Sequence, residues 1–156
     1  MPRRPRPPHP PAPRAKPARS APATAGSAET LLLALARDLT ARAAHLTQAA
    51  DLRAVVDALA AAYGPGSPLA AAMREDWLRG RGDKNVRLAL GWAREQVRLA
   101  MVDVVQRAAR ASLVTAHADV ETLTWLWLAC CEALAYEPAS AVADRVQALA
   151  AFLGAI

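Results

Sequence analysis

From Ala28 onward, apolar residues recur every three or four positions, broken only by short runs of Gly, Pro, Ser and Asp. That is the period of an α-helix, and no stretch alternates as a half-buried strand would. A chain patterned this way is confined to an all-α fold, helices packed on helices around one core. The spacing predicts six of them.

The first helix is expected over 29–47, with Ser27 as its cap and Leu32, Leu35, Leu39, Ala43 and Leu46 on one stripe. A second spans 51–63, with Asp51 at its start and Leu52, Val55, Val56, Leu59 and Tyr63 facing inward. Gly64-Pro65-Gly66 ends it, and Ser67-Pro68 restarts the chain as a cap followed by proline at the first helical position. The short third helix carries Leu69, Met73 and Trp77, and 79–83 reads as a loop. The fourth is long, 84–112, with Val86, Leu90, Ala93, Val97, Met101, Val104 and Ala108 in register. Asp119 opens a fifth, and Glu137-Pro138 precedes a sixth that uses Val142, Val146, Leu149, Phe152 and Leu153.

Residues 1–27 are different. They hold nine of the twelve prolines and six Lys/Arg (Arg3, Arg4, Arg6, Arg14, Lys16, Arg19) with no acid. Such a segment has nothing to bury and is expected to be a disordered, polyproline-like tail ahead of one domain at 28–156. Setting those six charges aside leaves 13 basic against 14 acidic residues, so the net +5 belongs to the tail. The usual argument from a high pI to a nucleic-acid partner therefore applies to the tail alone. Such a tail suits an aromatic groove, a phosphate surface or an organelle address, or it is a spacer or an upstream extension.

The run Leu123–Ala135 is apolar on nearly every helical face and is expected to be buried on several sides. It ends far short of the ~20 residues a bilayer span needs, so no membrane role is expected. Either this helix is central to its own subunit or it meets a second one. A homodimer through helices four and five accounts for the apolar surplus, with Val97, Val104, Ala108, Leu123, Trp127, Cys131 and Leu134 as interface candidates. Cys130 and Cys131 diverge by about 100° on a helix. With no other cysteine in the chain and no apolar signal segment, they read as reduced core thiols of a cytoplasmic protein.

The order of these segments resembles the C-terminal ligand-binding and dimerisation region of TetR-type transcriptional regulators. The resemblance rests on ETLLLALARDLTARAAHL with DLRAVVDALAAAY, on SPLAAAMREDWL, and on a long helix ending RAARAS. ADVETLTWLWLACCEALAY and PASAVADRVQALAAFL complete it, and about 129 of the 156 residues are covered. It implies a six-helix sensor bundle whose last long helices pair in a dimer, with a small-molecule cavity among the first four. The family's three-helix head, whose helix-turn-helix reads the major groove, has no counterpart here: the tail stands in its place. Sequence-specific DNA binding by this chain alone is therefore not expected, and a heterodimer with a full-length relative joins the homodimer as an expected partner.

Candidate lining residues for a small apolar ligand are His45, Tyr63, Met73, Trp77, Trp92 and Met101, with Gly91 leaving room beside Trp92. For each of them core filling is the commoner role. Arg81-Gly82-Asp83 reads as capping sequence, and Glu75, Asp76 and Asp83 among the neighbouring arginines read as a solvated, salt-bridged surface. Catalysis has no support. His9, His45 and His117 lie apart from any carboxylate or Cys at metal spacing, and there is no phosphate loop or nucleophile elbow, so neither enzyme, metal nor cofactor is expected. Three functions remain: a TetR-like C-terminal domain that senses a small apolar ligand, dimerises or both; a helical interaction module whose basic tail recruits a partner; and an electrostatic DNA binder that acts through the tail.

Overall fold

The computed structural model describes residues 26–114 and 119–153. The tail up to residue 25, His9 and His117 lie outside the described residues. Six helices follow one another: α1 Ala28–Ala44, α2 Ala49–Tyr63, α3 Pro68–Gly80, α4 Lys84–Arg110, α5 Val120–Leu134 and α6 Ala139–Leu153, with no strand among the described residues. The all-α expectation holds, and so does the number of helices.

Local chemistry places the helix starts. Ser27 accepts from the Thr30 amide at 3.3 Å, Ser67 from Ala70 at 3.0 Å, Asp83 from Asn85 at 2.8 Å and Asp119 from Thr122 at 3.0 Å. Each side chain satisfies an amide that the helix itself leaves unpaired. The Arg-Gly-Asp tripeptide is thus spent on capping α4. Asp51 acts one turn later than its position suggested. It is the third residue inside α2, and its carboxylate accepts from the Thr47 and Gln48 amides at 2.9 and 3.0 Å. Those amide bonds, Thr47 first, hold its carboxyl below the ordinary value.

The ends differ slightly from the periodicity. Helix α1 stops at Ala44 rather than 47, and α3 runs on to Gly80. Helix α4 ends at Arg110 because Ser112 takes a left-handed conformation (φ 56°). Its amide then bonds Ala109 O at 3.0 Å, while that of Leu113 reaches back to Ala108 O at 2.8 Å. These two bonds make a Schellman stop with serine where glycine is the easier residue. Gly66, in the α2–α3 turn, has φ 79° and meets the same demand with no side chain.

Helix α4 is the spine, packed along α1 and also against α3 and α5, while α2 bridges α3, α5 and α6. The stripes read from spacing on α1 and α2 are all buried, and Leu32, Leu39, Leu52, Leu59, Val97, Met101 and Val104 are nearly or wholly shut off from solvent. A carboxylate also works inside the fold. Asp76 of α3, expected on a solvated surface, is buried and accepts from the Ala28 amide at 2.9 Å and from Arg79 at 3.0 Å. It ties the start of α1 to α3 across 48 residues.

Helix α5 departs from expectation. Only one face, Leu123, Thr124, Trp127, Cys131 and Leu134, is buried. Trp125 is 66% exposed and Cys130 is exposed, so the run is not covered on several sides by its own subunit. Among the described residues, no helix is long and apolar enough to cross a membrane.

Candidate functional site

A cleft of about 640 Å³ is walled by α3, α4 and α5, with Tyr63 of α2 also in its lining. Apolar side chains make its walls: Met73, Trp77 and Leu78 from α3, Leu90 from α4, Ala129 and Ala133 from α5, and Tyr136 beyond α5. The close approach of α3 to α4 that shapes it is helped by Gly80, where a Cβ would already stand 3.4 Å from the Arg87 backbone. Its volume lies inside the ~300–1,000 Å³ range of small-molecule sites.

Charge enters this cleft at three points. Arg94 of α4 uses one nitrogen, Nη2, to donate to both oxygens of Glu132 on α5, at 2.6 and 2.7 Å. Both groups line the cleft, and both remain partly exposed. Arg74 lines it too, and makes no ion pair among the described residues. Burial, and after it the Glu132 carboxylate, push the Tyr63 phenol well above its ordinary value. It stays a neutral hydroxyl at any ordinary pH.

Three of the six expected lining residues, Tyr63, Met73 and Trp77, meet in this cleft. Trp77 is 61% exposed and its ring carries the Arg81 guanidinium at 5.9 Å from the centroid. The other three do not join them. His45 is exposed at the end of α1 and lines a separate depression with Ala41, Arg42, Asp51 and Ala54. Trp92 is 54% exposed on the outside of α4, where a Cβ on Gly91 would meet nothing within 4 Å, so the room beside it is open solvent. Met101 is sealed in the α4 core. Spacing also missed Arg74, Leu90, Arg94, Glu132 and Tyr136. One signal was available: Glu132 is the sole charge within 123–135.

A second groove of about 460 Å³ runs between α5 and α6, lined by Leu123, Leu126, Trp127, Cys130, Leu149 and Phe152, with Glu137 and Arg145 at its edge. Beside it lies the solvent face of α5, where Thr122, Trp125, Ala129, Cys130, Ala133 and Tyr136 are all exposed. Thr122, Trp125, Ala129, Ala133 and Tyr136 advance by three or four residues, Cys130 flanks Ala129, and none carries a charge, so they form one stripe. Of the residues expected at a dimer interface, Leu123, Trp127 and Leu134 line the α5–α6 groove, and Val97, Val104, Ala108 and Cys131 do not. Val97, Val104, Ala108, Leu123, Trp127, Cys131 and Leu134 are all buried inside the subunit, because their stripes are the ones that close α4 and α5 onto the core. A second copy would be met by the opposite side of α5.

Two polar atoms on the inner face of α5, Thr124 Oγ1 and Trp127 Nε1, are buried with no hydrogen-bond partner. Cys131, beside them, has its thiol pushed up to about 12 by burial, with Cys130 and Glu132 adding to the shift. It is an inert core thiol. Among the described residues, no group of three His, Cys, Asp or Glu is placed to hold a metal ion. No protein-family model, no curated protein and no solved structure matches this chain.

Proposed function

We propose that this chain is a helical sensor and self-association domain of the TetR C-terminal type, which pairs with a second copy through α5 and α6 and takes a small apolar molecule in the α3–α4–α5 cleft. One observation carries the reading: an uncharged, solvent-facing stripe on α5 adjoins an apolar groove against α6. Trp125, Tyr136 and Phe152 are 66%, 79% and 67% exposed. Between them they leave on the order of 400 Å² of aromatic surface in water. That is about half of the ~800 Å² per partner that a stable interface buries, before the Leu, Ala and Cys side chains between them are counted. Ala129, Cys130 and Ala133 at the centre of the stripe are small, which suits two helices approaching to about 8 Å. Across a two-fold axis the same patch faces itself, with the Glu137–Arg145 ion pair of each copy, 3.5 Å, at its edge. None of the six helices is assigned a DNA-reading role.

Light scattering on the full chain at tens of micromolar is expected to give twice the 16.5 kDa chain mass. Cys130→Arg, which sets a charge in the middle of the stripe at an exposed position, is expected to halve that mass without lowering the melting temperature. A wild-type chain that runs at 16.5 kDa under those conditions defeats the self-association reading.

A further inference from the structure

We propose that the occupant of the α3–α4–α5 cleft is an apolar monocarboxylic acid, its carboxylate received by Arg94 and its body laid against Met73, Trp77, Leu90 and Tyr136. The inference rests on reading that cleft as a ligand site and deepens it by naming the ligand's chemistry. Its first support is the geometry of the Arg94 guanidinium. Glu132 engages Nη2 alone, from both of its oxygens, which leaves Nε and Nη1 of Arg94 without an acceptor among the described residues. A guanidinium presents five donors in a fixed planar fork, so a second carboxylate has donors waiting on another side of the same group.

The second support is the charge around the cleft. Arg74 and Arg94 face one carboxylate, Glu132, so the lining carries an excess of one positive charge against otherwise apolar walls. An amine would add a third cation to that lining. A neutral molecule would leave the excess charge and the open side of the fork unused. A single carboxylate balances both. The cleft is too apolar for a polyacid: beyond these charges its polar groups are few, and its length is lined by Ala, Leu, Met and aromatic rings.

Binding of this kind reaches past the cleft. Among the described residues, Arg94 is one of two cations that tie α4 to α5, the other being Arg98, which reaches Glu121 while also holding Glu95. A carboxylate sharing Arg94 with Glu132 changes the spacing of α4 and α5, and the exposed stripe of α5 adjoins the cleft directly, since Ala129, Ala133 and Tyr136 belong to both.

The test is calorimetric titration of the full chain with decanoate, decanol and decylamine, which share a chain length and differ in the head group. Saturable one-to-one binding of decanoate, roughly tenfold or more tighter than decanol and with decylamine weakest, is expected from one charge-assisted hydrogen-bonding pair. Arg94→Gln is expected to bring decanoate down to the affinity of decanol while decanol itself still binds, which shows that the cleft survives the substitution. If decanol or decylamine matches decanoate in the wild-type chain, the carboxylate assignment fails and the ligand-site reading stands. If none of the three binds saturably, both fail.

Discussion

Replacing Asp76 with alanine removes the one buried carboxylate among the described residues, which joins α3 to α1, and the structure sets the size of the loss. Oδ2 accepts from the Ala28 amide at 2.9 Å, and Ala28 is wholly buried. Without Asp76 that amide, one of the unpaired donors at the start of α1, is left dry. A buried donor stripped of its partner costs about 1–3 kcal/mol. Losing the negative charge beside a helix N-terminus adds about 0.3–1 kcal/mol. The Arg79 pair adds a few tenths at most, since that side chain is half exposed. The parts overlap, so a total of about 2–3 kcal/mol is expected, a fall of roughly 6–12 °C in melting temperature for a domain of this size. Urea denaturation followed by circular dichroism measures it. Asp76→Asn keeps an acceptor oxygen and should lose only about 1 kcal/mol, and Glu75→Ala, next door and exposed, should stay within about 0.5 kcal/mol of wild type. If Asp76→Ala costs no more than Glu75→Ala, the tie between α3 and α1 contributes nothing and the argument is wrong.

Other substitutions probe the remaining helices. Thr124→Val removes a buried hydroxyl that has no partner and is expected to raise stability by about 1 kcal/mol, read as a higher urea midpoint with an unchanged slope. Ser112→Gly relieves the left-handed stop of α4 and is expected to stabilise by about 0.5–1 kcal/mol, whereas Ser112→Val should destabilise. In Cys130→Ser the single remaining thiol, Cys131, is buried and burial still holds it above its ordinary value, so at pH 8 it should resist a disulfide reagent until denaturant is added. Rapid reaction of the folded variant would show that α5 opens far more readily than its packing implies.

Much of the architecture is legible without coordinates, because helix formation here is governed by neighbours in the chain. A Ser or Asp ahead of an apolar repeat, a Gly-Pro-Gly break and a three-to-four spacing all act within a few residues. The caps at Ser27, Ser67, Asp83 and Asp119 and the inner faces of α1 and α2 therefore lie where the sequence puts them. Position within a helix is less secure where side chains decide it. Asp51 looks like a cap and instead reaches back from inside α2, a difference of one turn that spacing alone does not resolve.

Tertiary structure decided everything that depends on which faces meet. The periodicity identifies Leu123–Ala135 as apolar all round, but only the packing of α2, α4 and α6 determines that Trp127 and Cys131 are sealed while Trp125 and Cys130 face outward. Residue type did not separate Tyr63, Met73 and Trp77, which share a cleft, from Trp92 and Met101, which lie outside the protein and inside its core. Nor did it bring Arg94 to Glu132, 38 residues away. Short-range backbone and capping energies are written along the chain, whereas burial and ion pairing are properties of the pairs of surfaces that folding brings together.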